Sequence, residues 1–136
     1  MFRRTDPVPA ALRATAIGAT LPDAELRALV HRGTLVRLGA DRQLMTENGL
    51  GREVALVLSG GVIVERHGQV VARLGAGEIV GEMAVIAGVP RNADVTTSEE
   101  SELYVFSRGE FAALLDSCPA LNRYVHVGAV QRGLAG

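Results

Sequence analysis

One stretch of the sequence combines the residue types that bind an anion. Gly81 lets the backbone approach a guest closely, and the residues that follow, Met83 and Ala84 among them, begin a helix. The first N–H groups of a helix have no partner inside it, so such a start attracts negative charge. Arg91 returns from the far side of the loop, and its planar guanidinium matches two phosphate oxygens at once. Together these residues predict a phosphate-binding site.

Glu82 stands in the same stretch with the opposite charge. Because a carboxylate is a poor ligand for phosphate, its expected partner is a hydroxyl group beside the phosphate, such as that of a ribose. The other interpretation is an ion pair between Glu82 and Arg91 that only holds the loop. Asn92 carries both a donor and an acceptor, so it could reach a purine edge or cap its own backbone at a strand start.

The elements around this stretch are short β-strands. From Thr34 to Phe106, apolar runs alternate with turn residues, a pattern typical of a β-sandwich or barrel. Residues 53–58 are apolar on both faces and predict a central, covered strand. His67-Gly68 fits a two-residue hairpin whose turn requires positive backbone angles. The other strands are predicted at residues 35–38, 43–46, 62–66, 69–74, 94–97 and 103–106.

Helices are predicted before the strands. Residues 8–18 favour a short helix, and a second helix begins with Thr20 as its cap and Pro22 in its first turn. Gly33 occupies the position that often follows a helix C-terminus. The residues of this second segment that face the core are predicted to be Leu21, Leu26, Leu29 and Val30.

Helices are also predicted after the strands. Ser107 and Glu110 have the spacing of a capping box, which starts a helix. The run Ser117-Cys118-Pro119 interrupts it, and a last helical segment covers residues 120–132. Gly128 weakens this segment by about 1 kcal/mol relative to alanine.

The composition favours one intracellular domain. A chain of 136 residues is long enough for a single core. Its net charge of -1 gives no electrostatic footprint for nucleic acid. Cys118 is the single cysteine, so no internal disulfide can form and a cytoplasmic location is expected. No signal peptide is recognisable, and no run approaches the ~20 apolar residues of a membrane span.

Catalytic and metal chemistry are not expected. The histidines are scattered over a helix end, a hairpin tip and the terminal segment, at His31, His67 and His126. A metal site in a small barrel would need them clustered with a carboxylate. No serine lies in a nucleophile elbow, and Glu82 lacks an evident acid–base partner. The chain is therefore predicted to be neither an enzyme nor a cofactor-binding protein.

The run Gly81–Ile86, followed by Pro90–Ala93, resembles the phosphate-binding cassette of the cyclic-nucleotide-binding domain family. That family includes the catabolite activator protein and the regulatory subunits of cyclic-AMP-dependent protein kinase. The similarity extends from about Ala11 to Arg123. It implies a mainly β fold with flanking helices: a double-stranded β-helix (jelly-roll) barrel with N-terminal helices, a short phosphate-cassette helix and C-terminal helices.

The resemblance also implies roles for the residues of the cassette. Glu82 would bind the ribose 2′-hydroxyl and Arg91 the exocyclic phosphate oxygens. The amides near Gly81, Met83 and Ala84 would complete the phosphate cradle. Cyclic AMP is expected as the ligand over cyclic GMP.

Two further expectations concern the purine. Asn92 stands where many members carry alanine, serine or threonine, and this departure bears on the choice of base. Val64 and Leu74 would line one side of the purine, and the terminal segment 120–132 would close the other. We expect that segment to be mobile without ligand and to become ordered, or to change its packing, when nucleotide binds.

We therefore interpret residues 1–136 as one cyclic-nucleotide-binding domain. Its parts are a helical preface (8–32), a β-roll (33–106) that contains the cassette (77–93), and C-terminal helices (107–133). The expected function is to sense a cyclic mononucleotide and to signal to a partner protein or to an effector segment absent from this chain.

Two other functions stay open on the sequence alone. One is a domain of the same fold that binds no ligand and acts in protein interaction, and the other is a small-barrel metalloenzyme. No helix-turn-helix follows the terminal segment, so DNA binding by this chain alone is not expected. Membrane binding is not expected either.

Overall fold

The computed structural model describes residues 8–45, 53–86 and 93–131. Its helices are α1 (Ala10–Arg13), α2 (Ala16–Thr20), α3 (Asp23–Arg32), α4 (Glu82–Ile86), α5 (Arg108–Ser117) and α6 (Pro119–Gln131). Its strands are β1 (Thr34–Leu38), β2 (Gln43–Met45), β3 (Glu53–Ser59), β4 (Val62–Arg66), β5 (Gln69–Leu74), β6 (Ile79–Val80), β7 (Asp94–Thr97) and β8 (Ser101–Ser107). Within these ranges, no helix has both the length and the apolar character required to span a bilayer.

The strands form two four-stranded sheets with antiparallel pairing, in the orders β1-β8-β3-β6 and β2-β7-β4-β5. The first and last strands of the chain are neighbours, with Thr34 opposite Val105. The two sheets enclose one apolar cluster, and a second cluster joins the first sheet to the helices. The predicted fold class, a mainly β jelly-roll with flanking helices, is confirmed.

Successive side chains of strand β3 point alternately into the two apolar clusters. Ala55 and Val57 belong to the cluster inside the roll, whereas Val54, Leu56 and Leu58 belong to the cluster on the helix side. All five side chains are buried. The alternation follows from the two-residue period of a strand. Because β3 lies between β8 and β6, the prediction of a central strand covered on both faces is confirmed.

The predicted two-residue hairpin is also confirmed. His67 and Gly68 have φ values of 54° and 78°, and β4 and β5 pair up to Arg66 opposite Gln69. Positive φ at both central positions defines the type I′ turn, whose twist matches that of the flanking strands.

The N-terminal helices depart from prediction, because residues 8–18 do not form one helix. Thr15 separates α1 from α2. Its hydroxyl donates to the carbonyl of Leu12 at 2.6 Å and accepts from the N–H of Gly18 at 3.2 Å. A threonine that bonds backbone groups on both sides competes with helix continuation, so it caps the second helix instead.

The prediction that Thr20 caps the next helix is wrong. Thr20 is the last residue of α2, and its hydroxyl donates to the carbonyl of Ala16 at 2.7 Å. Pro22 occupies the N-cap position of α3 and offers no side-chain acceptor. Acidic residues in the first turn compensate for the missing side-chain cap, because negative charge is favourable at the positive end of the helix dipole. One of them, Asp23, accepts a hydrogen bond from Arg13 that lowers the pKa of its carboxyl group.

Gly33 follows α3 as predicted, but it serves a different purpose from a left-handed cap. Its φ is −80°, in the extended region. A Cβ atom there would lie 2.9 Å from Cε2 of Phe106 and 3.1 Å from Cβ of Tyr104. The glycine therefore lets the end of α3 approach β8. The predicted core face of this segment is confirmed, since all four residues are buried: Leu21, Leu26, Leu29 and Val30.

The capping box before α5 is confirmed by two reciprocal hydrogen bonds. The N–H of Glu110 donates to Oγ of Ser107 at 3.1 Å, and the N–H of Ser107 donates to Oε1 of Glu110 at 2.8 Å. The predicted interruption is confirmed too, since buried Cys118 separates α5 from α6. Helix α6 begins at Pro119, a position that suits proline, and continues through Gly128.

Candidate functional site

The cassette begins where β6 leaves the first sheet. Ile79 and Val80 pair with Leu56 and Ala55 of β3. The next residue, Gly81, has a φ of 87°, a conformation that residues with a side chain rarely adopt. It turns the chain directly into α4. The predicted order of strand end, glycine turn and short helix is confirmed over this part of the cassette.

The loop before β6 is held by backbone contacts and by the helical preface. The N–H of Gly77 donates to the carbonyl of Val57 at 2.7 Å, and the N–H of Val57 donates to the carbonyl of Glu78 at 2.9 Å. Gly77 has a φ of 87°, and a Cβ atom there would lie 2.5 Å from Cβ of Thr15. The start of the cassette is therefore fixed between β3 and the cap of α2.

Glu82 is the first residue of α4, and its side chain is buried, with 2% exposed. Burial of a carboxylate is unfavourable unless hydrogen bonds or an opposite charge stabilise it. Glu82 also borders a cavity. A buried carboxylate beside a cavity, at the start of a helix, is a candidate for binding a hydroxyl donor.

The cavity lies between α2, the start of the cassette and α6, and its volume is about 580 Å³. Glu78 and Glu82 border it on the cassette side, and exposed Arg123 and half-buried Tyr124 border it on α6. Small or apolar residues complete much of the lining: Ala16, Ile79, Ala120, Val125, Val127 and Gly128. Its size and mixed lining suit a small organic molecule with a few polar groups.

The structure brings some of the predicted site residues together. Gly81, Glu82 and Met83 lie at the turn and the start of α4, followed by the backbone of Ala84. Glu82 shares the cavity with Tyr124 and Val125 of α6, the segment predicted to cover the ligand.

Other predicted site residues lie elsewhere or outside the described residues. Val64 and Leu74 pack in the cluster inside the roll, together with Val80, and do not line the cavity beside Glu82. Arg91 and Asn92 lie outside the described residues.

One contact near the site was not predicted from the sequence. Glu25 of α3 is buried, and its carboxylate accepts hydrogen bonds from the N–H groups of Ala120 and Leu121 at the start of α6. A glutamate in the first turn of a helix ordinarily indicates a favourable charge for that helix alone. Its actual partner is 95 residues away in the sequence, so no local signal identifies it.

A match to a known protein family covers the strands and continues through α5. Residues 35–118 match the family described as "Cyclic nucleotide-binding domain". The chain belongs to this family. The resemblance seen in Gly81–Ile86 and Pro90–Ala93 is thereby confirmed.

Individual relatives agree with this assignment. The Pycsar effector protein PaPycTIR of Pseudomonas aeruginosa is 34% identical over 107 residues, which cover 78% of this chain and 35% of that protein. The chain thus spans about a third of the length of the curated relatives that it matches.

Solved structures show the same fold. The regulatory domain of Toxoplasma gondii PKA, crystallised with cAMP, has a TM-score of 0.66 at 26% identity, covering 76% of this chain and 41% of the other. The catabolite activator protein of Thermus thermophilus has a TM-score of 0.73 at 23% identity, covering 90% of this chain and 58% of the other.

Proposed function

We propose that this chain is the sensing module of a protein that a cyclic mononucleotide regulates, and that it prefers cyclic AMP to cyclic GMP. It catalyses no reaction itself and passes the binding signal to a partner protein or an effector segment. Membership of the family supports the class of ligand. The cAMP in the Toxoplasma gondii relative supports the purine. The description of the Pseudomonas aeruginosa relative as an effector protein supports the regulated output.

The observation that carries the proposal is the position of Glu82. Its carboxylate is buried directly after the left-handed Gly81 and borders a cavity large enough for a nucleotide-sized molecule. Hydrogen bonds to a charged acceptor are stronger than neutral ones, and low local polarity strengthens them further. We therefore assign Glu82 to the ribose 2′-hydroxyl.

The other proposed contacts are with the phosphate and with the purine of the ligand. The phosphate would be bound by the backbone N–H groups of Gly81, Met83 and Ala84 and by the guanidinium of Arg91. Asn92 is the candidate for a contact with the purine edge. The assignment of Arg91 and Asn92 rests on their places in the sequence of the cassette.

The purine itself requires an apolar cover. Val64 and Leu74 stay the proposed contacts on the roll side of the base, although they pack inside the roll and do not line the cavity beside Glu82, and α6 is proposed for the opposite side. Tyr124 and Val125 support the second assignment because they face the same cavity as Glu82.

Calorimetric titration tests the class of ligand. We expect saturable binding of cyclic AMP, weaker binding of cyclic GMP, and much weaker binding of adenosine 5′-monophosphate, whose phosphate is not part of a ring. A preference for cyclic GMP that disappears in Asn92→Ala would reverse the choice of purine. If neither cyclic nucleotide gives heat with the folded protein, the chain is a domain of this fold that acts in protein interaction instead.

A double-mutant cycle tests the role of Glu82. Glu82→Gln keeps the shape of the side chain and removes its charge, so we expect cyclic AMP to bind about tenfold more weakly. The same ligand without its 2′-hydroxyl should bind wild type about tenfold more weakly, yet should lose little more in the variant. Glu100→Gln, in an exposed turn, is the matched control and should leave affinity unchanged. Fully additive losses would place Glu82 away from the ribose.

A further inference from the structure

Strand β5 has a free edge at the end of the second sheet. With six residues, it is the longest of the described strands that end a sheet, since β1, β2 and β6 are shorter. It pairs with β4 on one side, and among the described residues no strand lies on its other side. The backbone groups of that side are therefore a template to which a strand of another chain could be added.

The amino acids of β5 do little to prevent such pairing. Val70 and Val71 are 47% and 50% exposed, and the strand contains no proline. β-Branched residues favour extended structure, whereas prolines and charged side chains commonly protect an edge. Arg73 is the only charged residue of β5. The composition of the strand therefore favours association through its free edge.

An irregularity in the pairing with β4 interrupts this edge. Val64 lies opposite Ala72 and Glu65 lies opposite Val70, so Val71 has no opposite residue on β4. One extra residue in one strand of an antiparallel pair is a β-bulge, which bends that strand and increases its twist. The bulge lies in the middle of β5, where an added strand would need a straight row of backbone groups.

The bulge also explains why two consecutive valines are exposed. Side chains alternate between the faces of a strand, and residues opposite each other share a face. Ala72 and Val64 pack inside the roll, so their neighbours Val71 and Glu65 lie on the outer face. Val70 is opposite Glu65 and shares that outer face.

We propose that the bulge at Val71 closes the free edge of β5 to a strand from a second copy of this chain. The bend and the added twist displace the backbone groups on either side of Val71 from the straight row that a second strand requires. Without the bulge, two copies pair along their β5 edges. The proposal involves no nucleotide and is independent of the proposed function.

Deletion of Val71 tests the proposal, because it removes the bulge and keeps every residue pair between β4 and β5. Val70 and Ala72 become neighbours and already lie on opposite faces. We expect the mass of the folded variant to rise to at least twice that of wild type as the protein concentration increases. Size-exclusion chromatography with light scattering measures the mass, and circular dichroism measures folding. Equal masses for wild type and the folded variant would overturn the proposal.

Val71→Thr is the matched control, because it keeps the extra residue and changes only the side chain. Its mass should equal that of wild type. The deletion itself removes an exposed apolar side chain, which would weaken association through hydrophobic contact. A higher mass after the deletion must therefore come from the straightened backbone. A higher mass of Val71→Thr would show that the side chain, rather than the bulge, prevents association, and the proposal would be wrong.

Two further variants test the place of association and the role of the charge on β5. Added to the deletion, Val70→Lys places a charge on the straightened edge and should restore the wild-type mass. A mass that stays high would mean that association does not use β5. Arg73→Thr keeps the bulge and should leave the mass unchanged, whereas its association would assign the protection to the charge. If the deletion variant does not fold, the hairpin itself requires the bulge, and the proposal fails as well.

Discussion

Glu25 and Glu82 are both buried carboxylates, yet their surroundings indicate different roles. Glu25 binds two backbone N–H groups of α6, whereas Glu82 borders a cavity next to a left-handed glycine. Burial alone would have selected both as candidate ligand residues. The neighbouring space, rather than the burial, is the reason why we propose Glu82 as a ligand residue and not Glu25.

The role of Arg91 is tested by shortening its side chain and by changing its shape. Charge-assisted hydrogen bonds each contribute about 1.5–3 kcal/mol, so Arg91→Ala should weaken cyclic AMP binding at least about tenfold. Arg91→Lys should recover little of this, because a single ammonium group cannot reproduce the planar fork. Titration of both variants by calorimetry measures the effect. Unchanged affinity in a folded Arg91→Ala variant would remove the residue from the site.

At the scale of elements, Gly33 controls how closely α3 approaches β8. Because its φ is −80°, alanine is compatible with the backbone and would gain about 0.4–1 kcal/mol from the unfolded state. The new Cβ would lie 2.9 Å from the buried ring of Phe106, and such overpacking costs about 1–3 kcal/mol. We therefore expect Gly33→Ala to lower the free energy of unfolding by about 1–2 kcal/mol in urea denaturation.

Gly109→Ala is the control for this prediction. Gly109 lies in α5, and a Cβ atom there would meet no heavy atom within 4 Å. Alanine should therefore raise stability by up to about 1 kcal/mol through its helix propensity. A loss of stability in both variants would mean that the effect of Gly33→Ala does not come from contact with Phe106.

Elements set by neighbouring residues were predictable from the sequence. The capping box needs only Ser107 and Glu110, and the type I′ hairpin needs only His67-Gly68. The covered strand β3 was readable because burial on both faces leaves a continuous apolar run. The order from β6 to α4 followed from Gly81 and the residues after it.

Features that depend on distant partners or on competing local bonds were not predictable. Thr15 and Thr20 have the same side chain, and only the structure shows that Thr15 caps α2 while Thr20 bonds back within it. Gly33 stands where glycine often follows a helix. The structure shows that a side chain is excluded there by the ring of Phe106, which lies on a strand far along the chain. The contact of Glu25 with α6 has no sequence signature at all.

At the scale of the whole molecule, ligand binding should appear as thermal stabilisation. A ligand present at one hundred times its dissociation constant stabilises the folded state by about 2.7 kcal/mol. For a domain of 136 residues this corresponds to a rise in Tm of about 10 °C, measurable by differential scanning fluorimetry with cyclic AMP.

Two controls accompany the thermal measurement. Adenosine 5′-monophosphate at the same concentration should give a much smaller shift. Arg91→Ala should need a higher cyclic AMP concentration for the same rise. A Tm that is independent of cyclic AMP in the wild-type protein would contradict the proposed function.

The pairing of β1 with β8 has a consequence for how the chain folds during synthesis. Thr34 lies opposite Val105, so the first sheet cannot be completed until β8 has left the ribosome. Contacts between such distant residues close slowly, because the intervening chain must lose its entropy first. Until then the apolar strand β3 lacks its neighbour β8. Until β8 pairs, the newly made chain therefore exposes an unpaired apolar strand edge, which is the kind of surface through which chains aggregate.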